Sequence, residues 1–564
     1  MKNNKKKFSA LFKSGELLEV DTDFEMKESK GVVLYYCNLK DNDAQDFIDQ
    51  FLAGDTQSFF NEYNQENYAV VLFYENELFV YNDRIGTHEW YYSDLKDRVS
   101  ISLSPFTLKE VALEIEKNRL YELLAFNIVN PPNTLFEGVN VLKTAEFIKV
   151  DNQNNISVNQ YWDIKSLFGA TKKSFTEYVS SFRSAFEKVL LQKKDSRSSV
   201  SLSGGVDSGG VLCMLTKLFA KPIPSFSLGP FGENSGDLQS SRLTAEECNS
   251  PNTEHPMKVS DLSMLPEINK GLAQPFETIF SLNTGLVFDW AAKKDLTDVY
   301  FGIGVDNMLG ASGHHKLAYY LFLFEKFVPK FLCVPIYKSL IKFKKLNKNH
   351  SRLLLAKTPA ERFLYFHSAL YAYEIDMYKD KFDVVKNNDF IQEIDQVLTD
   401  NSLGSIERYI YADWLFYYTY FLNGASTRMG KRYGVFATSP MYHPEVLAVL
   451  LKSKNSFRRK DGWNKKPIRD MFAPYVSDRL RLNAPKSCVL DSKEWLKNIE
   501  SECLEYIRGN KMLSLVLDID FYRENKHNLP DPDFHLIRLL GLAVWYDVNF
   551  DKNRIDKFLQ ILEK

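Results

Sequence analysis

The run Ser203-Gly204-Gly205-Val206-Asp207-Ser208 holds the densest concentration of chemistry in this sequence. Paired glycines permit a tight turn and a close approach of backbone to a ligand. The run follows a short apolar segment ending at Leu202 and opens a helical pattern. Free N–H groups and the helix dipole there favour an anion. Ser203 and Ser208 add hydroxyl donors. Asp207 would repel a bare phosphate, and a Mg²⁺ between carboxylate and phosphates resolves that conflict. No GxxxxGK[ST] occurs, so this is not a Walker A loop. Ser, Gly and Asp without Lys suit a pyrophosphate group held by backbone and metal.

Such a loop must be positioned by regular elements. Ser198–Leu202 predicts a buried strand and Gly209–Phe219 the helix after it. Upstream, Phe175, Tyr178, Val179, Phe182, Phe186, Val189 and Leu190 recur at helical spacing and predict a helix over Phe175–Gln192. Ile223–Leu228 and Asp298–Gly302 predict two further strands. Strands alternating with helices predict a parallel α/β sheet. From about Leu317 helical patterns dominate. The first 165 residues differ. Gly31–Asn38, Tyr68–Tyr74, Glu77–Tyr81 and Val99–Leu103 predict short strands separated by polar turns. Asp43–Phe51 and Phe106–Asn127 predict helices, and Glu146–Val150 with Ile156–Trp162 a hairpin across Asp151–Asn155. This half reads as an α+β sandwich of its own. The pattern changes near Asp163–Ser174, giving expected domains 1–165 and 166–564.

Composition narrows the function classes. With 71 Lys+Arg against 73 Asp+Glu the chain of 564 residues carries a net charge of −2. It has no global bias toward nucleic acid or anionic membrane. The six cysteines (Cys37, Cys213, Cys248, Cys333, Cys488 and Cys503) form no CxxC, so neither a zinc knuckle nor a disulfide framework is expected, and free thiols are. The basic N-terminus lacks the apolar stretch of a signal peptide, and no transmembrane segment is expected. Leu317–Phe343, interrupted by Glu325, Lys326, Pro329, Lys330 and Lys338, reads as two aromatic helices meeting at Pro329, core rather than anchor. The basic run Leu340–Lys348 reads as a solvated helix face. A cytoplasmic protein follows. His314 and His315 would project about 100° apart on a helix, which disfavours joint metal binding. Tyr442-His443 reads as a general base or a buried turn.

At Ser203–Ser208 the sequence resembles the ATP pyrophosphatases, whose signature is SGGxDS, and the flanking sequence resembles the asparagine synthetase branch. That branch includes asparagine synthetases, β-lactam synthetases and lasso peptide cyclases. The resemblance implies that ATP is cleaved to AMP and pyrophosphate with Mg²⁺, a carboxylate substrate being adenylated and then attacked by an amine. It also implies that Leu202, Ser203, Gly204, Gly205, Asp207 and Ser208 hold the nucleotide. Ser225-Phe226-Ser227-Leu228-Gly229 resembles the strand that reads adenine, which nominates Ser227 and Leu228. Gln274-Pro275 resembles the family's acid-Pro turn. Gly302-Ile303-Gly304-Val305-Asp306-Asn307 resembles the SGxGGDE loop, nominating Gly302 and Gly304 for nucleotide and Asp306, with Asp207, for metal. Ala484-Pro485-Lys486 falls where the family carries its essential lysine, and Arg428 matches an arginine of the DRMS-type stretch; Lys486 and Arg428 are the expected catalytic residues. In the first half Asp83-Arg84-Ile85-Gly86, Trp90-Tyr91-Tyr92, Pro132–Val139 and Tyr161-Trp162 resemble glutamine amidotransferase domains, implying an Ntn-hydrolase sandwich.

Two departures bear on function. The amidotransferases use an N-terminal cysteine, whereas position 2 here is Lys2 and Cys37 sits inside a predicted strand, so no glutaminase activity is expected. In the stretch Thr427–Pro440 the aspartate-holding EARVP charges become Phe436 and Thr438, and the β-lactam synthetase Tyr–Glu pair becomes Ile303 and Phe436. An amide ligase with an uncharged acceptor pocket and its own amine remains, which resembles a lasso peptide cyclase. That reading implies a precursor peptide as substrate and a leader-peptide protease as partner. Ammonia-dependent asparagine synthetase, or a ligase for another natural product or a sugar, stands as the alternative.

Overall fold

The computed structural model describes residues 6–62, 67–229, 236–343, 353–367, 389–460, 465–483, 495–529 and 532–563. The first part is built on strands β1 (Phe8–Lys13), β2 (Glu16–Thr22), β3 (Glu25–Ser29), β4 (Val32–Cys37), β5 (Ala69–Tyr74), β6 (Glu77–Tyr81), β7 (Tyr91–Asp94), β8 (Val99–Ser102), β9 (Asn140–Val141), β10 (Glu146–Val150) and β11 (Ile156–Gln160). They form two antiparallel sheets, ordered β2-β1-β8-β7-β9 and β11-β10-β6-β5-β4-β3. The period of two explains the layering. On β5, Ala69 and Val71 meet Phe8, Trp90 and Ile101 between the sheets. Val70 and Leu72 point the other way, onto Phe47, Ile48, Phe59 and Phe60 of the helices Asp41–Leu52 and Thr56–Glu62. On β7, Trp90 and Tyr92 belong to the inner layer, whereas Tyr91 faces the helix Lys117–Phe126. The result is helix, sheet, sheet, helix.

The fourth layer is shared with the rest of the chain. Leu120, Leu123 and Phe126 enter one core with Leu536, Leu540 and Trp545 of the helix Pro532–Phe550. From that helix buried Arg538 donates to the carbonyls of Leu123 and Leu124.

The second part is built on a parallel sheet of β12 (Ser198–Ser201), β13 (Ser225–Gly229), β14 (Asn252–Pro256), β15 (Asp298–Tyr300) and β16 (Phe436–Thr438), ordered β14-β13-β12-β15-β16. The chain steps outward from β12 through β13 to β14, then returns to the other side of β12. Between β12 and β15 the winding direction reverses, and the carboxyl ends of these two strands frame the crevice where such sheets bind ligands. The remainder is helical.

Several sequence expectations need correcting. Phe106–Asn127 is not one helix; only Lys117–Phe126 is, after a turn at Pro105–Thr107 and an extended stretch. The solvated hairpin strands β2 and β3 and the three-residue β16 were missed, because neither exposed nor very short strands leave a hydrophobic alternation. Cys213 and Cys248 are not free: the structure pairs them across 5.5 Å between Cα atoms, 35 residues apart, by packing the helix Val206–Phe219 beside the helix Gly236–Glu247. Cys37, Cys333 and Cys503 are free and buried. The two aromatic helices exist, as Gly313–Phe327 and Lys330–Phe343, but their outer face is not core. No described helix is long and apolar enough to cross a membrane.

Candidate active site

The loop after β12 turns because Gly204 adopts φ +73°, and a Cβ there would come within 2.8–2.9 Å of the backbone of Asp237 and Ser241. Gly205 caps the helix Val206–Phe219 with extended backbone. Ser203 and Ser208 close the loop on itself: the Ser208 hydroxyl accepts from the Ser203 amide at 3.0 Å, and the two hydroxyls lie 3.0 Å apart. The Gly204 carbonyl accepts from Ser240 at 2.8 Å. The Leu202 amide donates to Phe226 at 2.8 Å, the last rung between β12 and β13. Ser227 and Leu228 therefore project beyond β12, beside the loop. The Ser227 hydroxyl, however, is buried and donates to Asn252 at 3.0 Å, so this residue has only its backbone to offer a ligand.

The loop after β15 meets the first one backbone to backbone. A Cβ on Gly302 would lie 2.5 Å from the Ser208 nitrogen and 2.8 Å from the Asp207 carbonyl carbon, so only glycine allows this approach. Gly304, at φ +93°, begins the short turn of helix Val305–Met308 that carries Asp306. Asn307, standing where the resemblance has an acid, is buried and accepts from Ser312 at 2.9 Å, a structural bond.

Sequence reasoning missed Lys465. Its Nζ lies 2.6 Å from Asp207 Oδ2 and 2.8 Å from Asp306 Oδ2, joining the two carboxylates. The signal for it was faint: one of two adjacent lysines ahead of a helix, with no local pattern that singles it out. The two carboxylates hold Lys465 protonated above its ordinary range despite burial. Burial pushes Asp207 upward, with Lys465 opposing. The other Asp207 oxygen, Oδ1, is buried without a hydrogen-bond partner. An orphaned carboxylate oxygen beside a second carboxylate, next to a cradle of amides, fits a divalent cation that takes its remaining ligands from phosphate and water. Asp207 and Asp306 would hold it. Among the described residues no cluster of three or more His, Cys, Asp or Glu offers a fuller cage.

The other expected residues fall elsewhere. Arg428 is not brought to this cluster. It lies on the helix Gly424–Tyr433 and bonds Glu89 of the first domain and the Tyr420 carbonyl at 3.0 Å, at the wall of an inter-domain cavity of about 240 Å³. Lys486 lies outside the described residues, as does Lys2. Phe436 pairs with Asp298 at the amino end of β15, and its ring sits 5.3 Å from Lys193 Nζ, an amine that also bonds Thr438 at 3.0 Å. Both positions face Lys193, Phe436 at the amino end of β15 and Thr438 beside Tyr300 at its carboxyl end. His443 is a helix cap, accepting from the Glu445 amide at 3.2 Å, and buried His315 lies 3.0 Å from Asp413. Neither is a base beside the phosphate loops.

In the first domain Cys37 ends β4, as the strand pattern predicts. Its Sγ lies 3.6 Å from His88 Nε2, and His88 Nδ1 lies 3.7 Å from Asp83. Asp83 is spent on its own turn, accepting from the Ile85 and Thr87 amides at 3.1 and 2.9 Å. Burial pushes the Cys37 thiol up to about 12 and His88 down to about 4, so both are neutral at pH 7.

Residues 181–528 match the model of the asparagine synthase family, which spans well over half of the chain. The chain belongs to the asparagine synthase family. Residues 62–162 match a glutamine amidotransferase domain. The protein is thus an ATP-dependent amide ligase of the asparagine synthase type, with an amidotransferase-like α+β domain ahead of its nucleotide-binding α/β sheet. No curated protein matches the chain. Solved structures give loose, partial likenesses. An NH3-dependent NAD synthetase from Campylobacter jejuni subsp. jejuni is 16% identical, covering 32% of this chain and 92% of that one at a TM-score of 0.19. An NMN synthetase from Francisella tularensis is 15% identical, covering 43% and 94% at 0.20.

Proposed function

We propose that this protein adenylates a carboxylate, releasing pyrophosphate, and joins it to an amine carried by the same substrate, closing a macrolactam as lasso peptide cyclases do. The observation that carries the adenylation is the meeting of the two loops: Gly302 lets the β15 loop close onto the Asp207–Ser208 backbone, and Asp207, with one buried oxygen unpartnered, shares Lys465 with Asp306. A bound Mg²⁺ would supply charge neutralisation between the ATP phosphates there. Leu202–Gly205 and Ser208 would hold those phosphates, and the Leu228 backbone the adenine. Lys465, freed from the carboxylates, would turn its charge to the phosphates, where a fixed cation favours the transition state. Lys486 is assigned the same electrostatic role on the α-phosphate side. Gly304 shapes the loop bearing Asp306.

The source of the amine rests on the first domain. Residues 1–165 hold one cysteine, Cys37, and it is buried with its thiol protonated. A thiol in that state is a poor nucleophile, so the domain supplies no ammonia and the amine arrives tethered. Tethering raises effective concentration. The test is AMP formation with candidate carboxylates, including linear peptides bearing a free amine and an Asp or Glu. Peptide-dependent AMP and loss of one water from the peptide are expected. Fast asparagine production from aspartate and ammonia, with no peptide active, overturns the macrolactam reading in favour of an ammonia-dependent asparagine synthetase.

A further inference from the structure

The helix Lys330–Phe343 turns the wrong side outward. Cys333 and Tyr337, four residues apart, hold it down on Leu321, and Tyr337 donates to Glu325 at 2.9 Å. The flank adjoining that packed side carries Leu332, Ile336, Leu340 and Phe343, at spacings of four, four and three, all exposed. That spacing is one stripe of a helix. The outward side, away from Cys333 and Tyr337, carries exposed Phe331, Lys338 and Lys342, and Phe327 ends the preceding helix. Phe327, Phe331 and Phe343 are 78%, 75% and 85% exposed. Of the nineteen large apolar side chains exposed among the described residues, nine lie between Tyr320 and Phe343, so this is a patch and not scatter.

Charge selects the occupant. Between Glu325 and Glu361 the sequence has nine Lys and Arg and no Asp or Glu, in a chain whose net charge is −2. An outward apolar stripe flanked by lysines on a helix too short to span a bilayer is the design of a helix lying in a membrane interface. Apolar side chains enter the headgroup boundary, and the cations meet anionic lipid. A second copy of the chain would bring the same excess of positive charge against itself. We propose that the helix Lys330–Phe343, with Phe327, docks this enzyme on an anionic membrane surface.

The full-length protein should co-sediment with phosphatidylcholine vesicles containing phosphatidylglycerol, not with phosphatidylcholine alone, and added salt should release it. A variant with Leu332→Ser, Ile336→Ser, Leu340→Ser and Phe343→Ser should lose partitioning about tenfold or more. Lys338→Glu with Lys342→Glu should lose it too, while light scattering reports the same mass for all. Circular dichroism and ATP–pyrophosphate exchange with an accepted carboxylate verify folding; should the fourfold variant fail them, the charge variant decides alone. Absence of binding to anionic vesicles overturns the proposal. So does binding that ignores the charge variant, or a wild-type oligomer that these substitutions dissociate, which would assign the face to a second copy.

Discussion

Two places in this molecule hold chemically capable side chains, and they have been treated oppositely by the fold. At the carboxyl end of the parallel sheet the groups are left wanting: an Asp207 oxygen without a partner and a lysine shared as counter-charge, on loops that only glycine lets approach so closely. Around Cys37 and His88 the groups are satisfied or neutralised. Asp83 spends its lone pairs on a turn, and burial keeps thiol and imidazole uncharged. One cluster stores unmet electrostatic demand, and the other has it packed away.

The sharpest way to break that contrast is at the carboxylates. Asp207→Ala and Asp306→Ala should each cut ATP–pyrophosphate exchange by about 10³-fold with unchanged circular dichroism. Near-normal exchange in either variant would move the metal elsewhere. Lys465→Ala should cost about 10²-fold in turnover. It should also tighten Mg²⁺ binding to the nucleotide-free protein, measured by calorimetry, since the metal no longer displaces an amine; weaker binding would refute the exchange. Gly302→Ala forces a Cβ onto the Asp207–Ser208 backbone and should lower stability by about 1–3 kcal/mol in urea titration, with a rise in KM for ATP.

The quiet site offers the smaller effects. His88 titrates far below its unfolded value, so its neutral form stabilises the fold above about pH 6.5 and that stability is lost as pH falls toward 4. The loss, on the order of 2 kcal/mol, should be missing from the pH dependence of unfolding in His88→Gln. Cys37→Ala should leave both AMP formation and glutamate release from glutamine where they were, at a stability cost of about 1 kcal/mol. A fall in glutamate release would reinstate the thiol as a nucleophile.

The sequence was most legible where backbone conformation dictates residue type. Gly204, Gly205 and Ser208 are readable as a loop because a turn, a cap and a closing hydroxyl each admit few residues, and the alternation of strands and helices after Phe175 betrays the parallel sheet. Lys465 was illegible because nothing local requires it; its meaning exists only when β12 and β15 bring two carboxylates to one point. Arg428 is the opposite case, legible as a motif but placed away from the two carboxylates. A motif match gave it a catalytic reading, whereas the fold uses it to tie Glu89 across the domain boundary. Phe436 shows a related difficulty, since a gapless alignment fixes order along the chain but not the end of the sheet: Phe436 pairs with Asp298 at the amino end of β15, Thr438 with Tyr300 at the carboxyl end.

Arg538 reaching the last carbonyls of Lys117–Phe126, inside a core common to both halves, bears on why the first domain persists at all. A domain joined to its neighbour only by a linker is free to erode. This one forms a wall of its neighbour's interior, so its removal would expose Leu536, Leu540 and Trp545 to water. The partition carries the roof, so the two halves should unfold together.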